Sequence, residues 1–160
     1  MLSTAETRYA QLFRFIYRPS LFNTIEVLHL DMEESRDSRP LRSLRGFTKL
    51  RELLLHIHLV YDIRPSWCPP PFLYEDTLTN ILPPSLVDLY LIADVRTQKN
   101  MEPDLHEVMK WKDGPFSKLQ SIRTNVEIHD RSLLQLADDL SVELVSQARR
   151  GKNQSHVPNP

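Results

Sequence analysis

The chain has a single cysteine, Cys68, and three glycines among 160 residues. A lone thiol cannot close an internal disulfide, so an intracellular setting, cytoplasm or nucleus, is expected. So few glycines argue against a glycine-rich loop that cradles phosphate. No nucleophile elbow and no His-Glu-x-x-His helix is present, so the sequence names no actors for an enzyme. The formal net charge is only −1. That balance points to neither nucleic acid nor an anionic membrane surface as a partner. No apolar run approaches the roughly 18 to 20 residues needed to cross a bilayer. The first residues mix Glu6 and Arg8 with apolar side chains, unlike a secretory signal. No cofactor is expected.

What the chain does have is proline, twelve of them, and a recurrent apolar spacing. Four segments follow the order apolar, two others, apolar, one other, then a usually apolar place. They are Ile25-x-x-Leu28-x-Leu30, Leu50-x-x-Leu53-x-Leu55, Leu86-x-x-Leu89-x-Leu91 and Leu119-x-x-Ile122-x-Thr124. Their first residues are 25, 36 and 33 positions apart. Phe47-Thr48-Lys49-Leu50 and Phe116-Ser117-Lys118-Leu119 are near copies, and Pro83-Pro84-Ser85-Leu86 holds the same place. Each is read as a turn delivering the chain into a strand, whose alternate residues enter a core.

The stretches between are read as helical. Ser3 and Glu6 suit a capping box, with Tyr9, Leu12, Phe13 and Ile16 at helical spacing and Pro19 as a stop. Leu41, Leu44 and Phe47 after Pro40 suit a short helix, and Leu78, Ile81 and Leu82 precede Pro83. Pro103 opens a helix with Leu105, Val108 and Met109 that stops at Asp113-Gly114-Pro115. Ser132 and Gln135 suit a capping box for a last helix lined by Leu133, Ala137, Leu140, Leu144 and Ala148, with Gly151 beyond its end.

Alternating strand and helix implies a parallel sheet with right-handed crossovers. A doubly wound sheet needs strands apolar on both faces, whereas the second face here is mixed. The expected fold class is therefore α/β: a short leucine-rich-repeat-like solenoid. It has about four parallel strands on a concave face, helical or irregular convex returns, and capping helices at both ends. One domain is expected over residues 1–150, with an inserted proline-rich loop at about 61–74. The polar residues 151–160 read as a disordered tail.

The phrasing Leu41-Arg-Ser-Leu-Arg-Gly-Phe-Thr-Lys-Leu-Arg-Glu-Leu-Leu-Leu and Leu82-Pro-Pro-Ser-Leu-Val-Asp-Leu-Tyr-Leu resembles the repeat region of fungal F-box/leucine-rich-repeat proteins. The resemblance covers about Leu21 to Asn125. It implies a recognition platform for a protein partner, of adaptor or substrate-recognition type. Where that family carries asparagine or cysteine, this chain has Glu33, His58, Asp94 and Glu127, so a buried asparagine ladder is not expected. No F-box is recognised before the first repeat. Contact with a ligase scaffold is expected only if an F-box exists elsewhere.

On each strand the residues between core positions form the concave face. Stacked repeats give three rows: Val27, Glu52, Asp88 and Ser121; His29, Leu54, Tyr90 and Arg123; Asp31, His56, Ile92 and Asn125. A tyrosine, an arginine and aliphatics suit the centre of a protein interface. The expected partner-binding residues are His29, Glu52, Leu54, His56, Asp88, Tyr90, Ile92 and Arg123. Trp67 and Phe72 of the inserted loop join them. The competing reading makes that loop a lid whose aromatics pack on the sheet's rim, covering Leu54, Tyr90 and Ile92. Cys68 lacks the surroundings of a reactive thiol.

Three alternatives remain. Asp31, His56 and His58 could hold a metal ion for a hydrolase, with no further ligand evident. Arg36, Arg39, Arg42 and Arg45 recur every third residue and could grip phosphates, but offsetting acids make a solvated convex segment the simpler reading. Finally, the chain could be an incomplete piece of a larger repeat protein.

Overall fold

The computed structural model describes residues 17–30, 41, 43–60 and 78–146. They form an α/β fold with one five-stranded, all-parallel sheet in sequential order. The strands are β1 (Val27–Leu30), β2 (Glu52–His56), β3 (Asp88–Ile92), β4 (Ser121–Thr124) and β5 (Glu143–Ser146). Three helices are described, α1 (Leu78–Ile81), α2 (Val95–Lys110) and α3 (Arg131–Asp139). Short 3-10 turns over Pro19–Leu21 and Ile57–Leu59 complete the described elements. No helix among the described residues is long and apolar enough to cross a membrane.

Strand alternation decides the layout. Leu53, Leu55, Leu89, Leu91 and Ile122 are completely or almost completely buried. Their sequence neighbours Leu54, Tyr90 and Ile92 are half-buried, and Glu52 and Arg123 are exposed. The apolar face meets Met101, Leu105, Val108 and Met109 of α2, and Leu133 and Ala137 of α3, in one core. Burying each leucine side chain contributes about 1.5–3 kcal/mol.

The turns into the strands repeat structurally as well as in sequence. The carbonyls of Glu26, Arg51 and Val87 each accept two successive N–H groups from the next strand's entry, at 2.8–3.2 Å. The buried Ser85 hydroxyl lies 3.0 Å from the carbonyl of Phe47 and 2.8 Å from that of Leu50, tying the third turn to the second. Phe22 and Phe47 meet edge-on, with ring centroids 4.9 Å apart. Gly46 lies under Phe22, where a Cβ would stand 3.2 Å from the ring. That close approach explains one of the scarce glycines.

Four expectations change. The segment around Leu44 is not a helix: its described residues run through turns and bond to the neighbouring convex segments. Leu41 N donates to Leu59 O at 2.6 Å and Leu44 N to Ile81 O at 2.8 Å. Ser43 Oγ and Arg45 Nη2 donate to the Asn80 and Thr79 carbonyls of α1. The last three α1 carbonyls, of Thr79, Asn80 and Ile81, are satisfied by this strap.

The second change is that α2 begins at Val95, well before Pro103. Asp94 and Thr97 cap it reciprocally, Thr97 N donating to Asp94 Oδ1 at 2.9 Å and Asp94 N to Thr97 Oγ1 at 3.0 Å. Pro103 removes one ladder bond inside the helix, and Lys99, whose carbonyl loses that partner, is exposed to water.

Third, Asp130 rather than Ser132 caps α3. Its Oδ1 accepts from Ser132 N at 2.8 Å and Leu133 N at 3.3 Å. Gln135 bonds Asp139 instead.

Fourth, α3 stops at Asp139 and the chain makes a fifth strand in place of two more helical turns. Ser141 takes a left-handed conformation, with φ 54°. Val142 N then donates to Ala137 O, and Ser141 N to Asp138 O. That is a Schellman ending built on serine, with Val142 buried beside Ala137. Leu144 consequently belongs to a strand, not to a helical stripe. The expected N-terminal helix, the loop at 61–74 and the tail at 151–160 lie outside the described residues.

Candidate functional site

The register of the sheet assembles the expected rows. Val27, Glu52, Asp88, Ser121 and Glu143 align across all five strands. His29, Leu54, Tyr90, Arg123 and Val145 form the next row. His56 pairs with Ile92 beyond them. Side chains of successive residues point to opposite faces, so these rows lie opposite the core.

Two polar contacts organise the first row. His29 Nε2 sits 3.0 Å from Glu52 Oε1, both side chains about half exposed (53% and 51%). Ser121 Oγ donates to Asp88 Oδ1 at 2.7 Å. That bond accounts for the burial of Ser121 on an otherwise accessible face. Among the described residues no ion pair joins Arg123 to Asp88 or to Glu143, and Arg123 is exposed. Val27, at 53% exposure, is among the most accessible large apolar residues described.

The third row is shorter than expected. Asn125 lies past the end of β4, where its amide caps the backbone of Ala93. Ala93 N donates to Asn125 Oδ1 at 2.7 Å, and Asn125 Nδ2 donates to Ala93 O at 3.0 Å. One donor and one acceptor of the amide are used, so Asn125 braces the exit of β3.

His56 ends β2, while His58 lies in the 3-10 turn that follows, so the two do not share a strand. Their rings still approach, with centroids 5.1 Å apart. Asp31 lies outside the described residues, as do Cys68, Trp67 and Phe72. No group of three potential metal ligands occurs among the described residues. Of the arginine series, Arg45 is engaged with Thr79. Arg36, Arg39 and Arg42 lie outside the described residues.

Glu143 and Val145 are the residues of this face that the repeat spacing misses. In β5 the first and last apolar places of the pattern are held by Ser141 and Ser146. The remaining signal is the short alternation Val142-Glu143-Leu144-Val145, which suits a strand but also continues a helical stripe.

Protein-family models, curated proteins and solved structures were compared with the chain, and none of them matches.

Proposed function

We propose that the chain is a protein-interaction module whose docking surface is the sheet face opposite the core. The observation that carries this reading is the middle row. Leu54 and Tyr90 are half-buried beside exposed Arg123, in register on adjacent strands and without packing into the hydrophobic core. Tyrosine supplies a large contact area at low entropy cost, and tyrosine and arginine both recur at interface hot spots. Parallel strands in sequential order, with the described core on one face, support reading the fold as a short leucine-rich-repeat-like solenoid. Repeat proteins of that kind bind along the strand face. An adaptor or substrate-recognition role in an intracellular setting belongs to this reading, the setting resting on the single cysteine.

A photo-reactive amino acid at Tyr90 tests the reading, with the same residue at Lys118 near the entry to β4 as a control. Cross-links to a purified partner from position 90 and not from position 118 are expected. Equal yields from both positions would contradict docking on the open face. Among the described residues, the metal-hydrolase alternative has the His56–His58 proximity in its favour, and stoichiometric zinc in purified protein would be needed to support it.

A further inference from the structure

The first row of the open face has an arrangement that folding alone does not favour. Glu52 and Asp88 are direct register partners on adjacent strands, and Glu143 stands in the same row on β5. Like charges set directly opposite each other destabilise a sheet. The row contains no lysine or arginine. Among the described residues, the His29 ring meets Glu52 and a neutral hydroxyl reaches Asp88. Arg123, the one permanent cation of the face's strands, forms no ion pair with Asp88 or Glu143. All three carboxylates open their strands.

We infer that the open face selects a basic protein segment laid across the strands. Its lysine or arginine side chains lie along Glu52, Asp88 and Glu143, and its apolar side chains meet Leu54, Tyr90 and Val145. The inference rests on the reading of this face as a docking surface and adds the chemistry of the partner. Charge complementarity is the argument. Three carboxylates aligned across the sheet, on a chain whose overall charge is near zero, form a local negative field that a basic segment neutralises. In the next row Leu54 and Tyr90, on adjacent strands, supply the short-range contact that charges alone lack.

The test uses the full chain and two fluorescent peptide probes of equal length, one alternating lysine with leucine and one alternating glutamate with leucine. The lysine probe is expected to bind, weakening as salt rises to about 0.5 M, and the glutamate probe is not. Neutralising the row with E52Q and D88N together should weaken the lysine probe about tenfold. The same pair should leave the thermal midpoint unchanged or raised, because a repulsion is removed. Equal binding of both probes, sensitive to Y90A but not to the neutralised row, would overturn the basic partner while leaving the docking face standing. No binding of the lysine probe would overturn the basic partner, and binding indifferent both to Y90A and to the neutralised row would overturn both.

Discussion

The two faces of the sheet are built from alternate residues of the same five strands, yet they serve different ends. On one face Leu53, Leu55, Leu89, Leu91 and Ile122 are sealed against the helices. On the other, Glu52, Leu54, Asp88, Tyr90 and Arg123 occupy the intervening positions and stay in partial or full contact with water. The contrast is sharpest between neighbours: Leu89 is almost fully buried, and Tyr90 beside it is half-exposed. Stability should therefore respond to one residue and recognition to the next.

The largest effect is expected from Leu89→Ala. Removing a buried leucine from the centre of the sheet should cost about 2–5 kcal/mol, read as a lower midpoint in urea unfolding. Tyr90→Ala should lower stability by no more than about 1 kcal/mol in the same assay. A loss at Tyr90 as large as that at Leu89 would mean that the two faces share one core, and the distinction drawn here would fail.

A smaller effect should follow Asn125→Ala. The substitution leaves the N–H and carbonyl of Ala93 without the amide that satisfies both. A loss of about 1–3 kcal/mol is expected, with faster amide exchange at Ala93. Stability unchanged by the substitution would return Asn125 to the contact surface where the spacing first placed it.

The smallest effect concerns Asp130 at the head of α3. The Ser132 hydroxyl holds its carboxyl below the usual aspartate range, helped by the backbone N–H groups of Ser132 and Leu133 and by His106; desolvation acts the other way. A depressed carboxyl stabilises the fold above its ordinary pKa and loses that contribution as pH falls through the lowered value. The thermal-midpoint gap between the native chain and Asp130→Ala should thus be present at about pH 7 and shrink below about pH 4. A gap that is constant with pH would remove the charge from the capping role.

Much of this architecture was legible because apolar spacing and strand pairing are the same fact seen twice. Leu28, Leu53, Leu89 and Ile122 were aligned by pattern, and the sheet pairs them in that register. Where the pattern failed, local chemistry had replaced an apolar residue. Thr124 fills a core place because Met101 sulfur and Val126 N–H satisfy its hydroxyl. The first two turns of α2 were hidden because Thr97, not an aliphatic residue, marks their buried side before Met101. β5 was hidden because Ser141 and Ser146 stand where leucines were sought. A left-handed serine also ended α3 where glycine, the usual signal, sat ten residues further on at Gly151.

The rows of the candidate face were legible for the same reason as the core, since period-two alternation assigns both at once. Burial of Ser121 by Asp88, and the turning of Asn125 onto Ala93, were not. Each depends on a hydrogen bond between segments more than thirty residues apart, which no local pattern encodes.

The most direct measurement is the affinity of a purified partner for Tyr90→Ala, taken alongside its unfolding midpoint. The account predicts a loss of at least about 2 kcal/mol in binding, as for a central interface residue, with the midpoint shifted little. Full affinity in a folded Tyr90→Ala variant would contradict it.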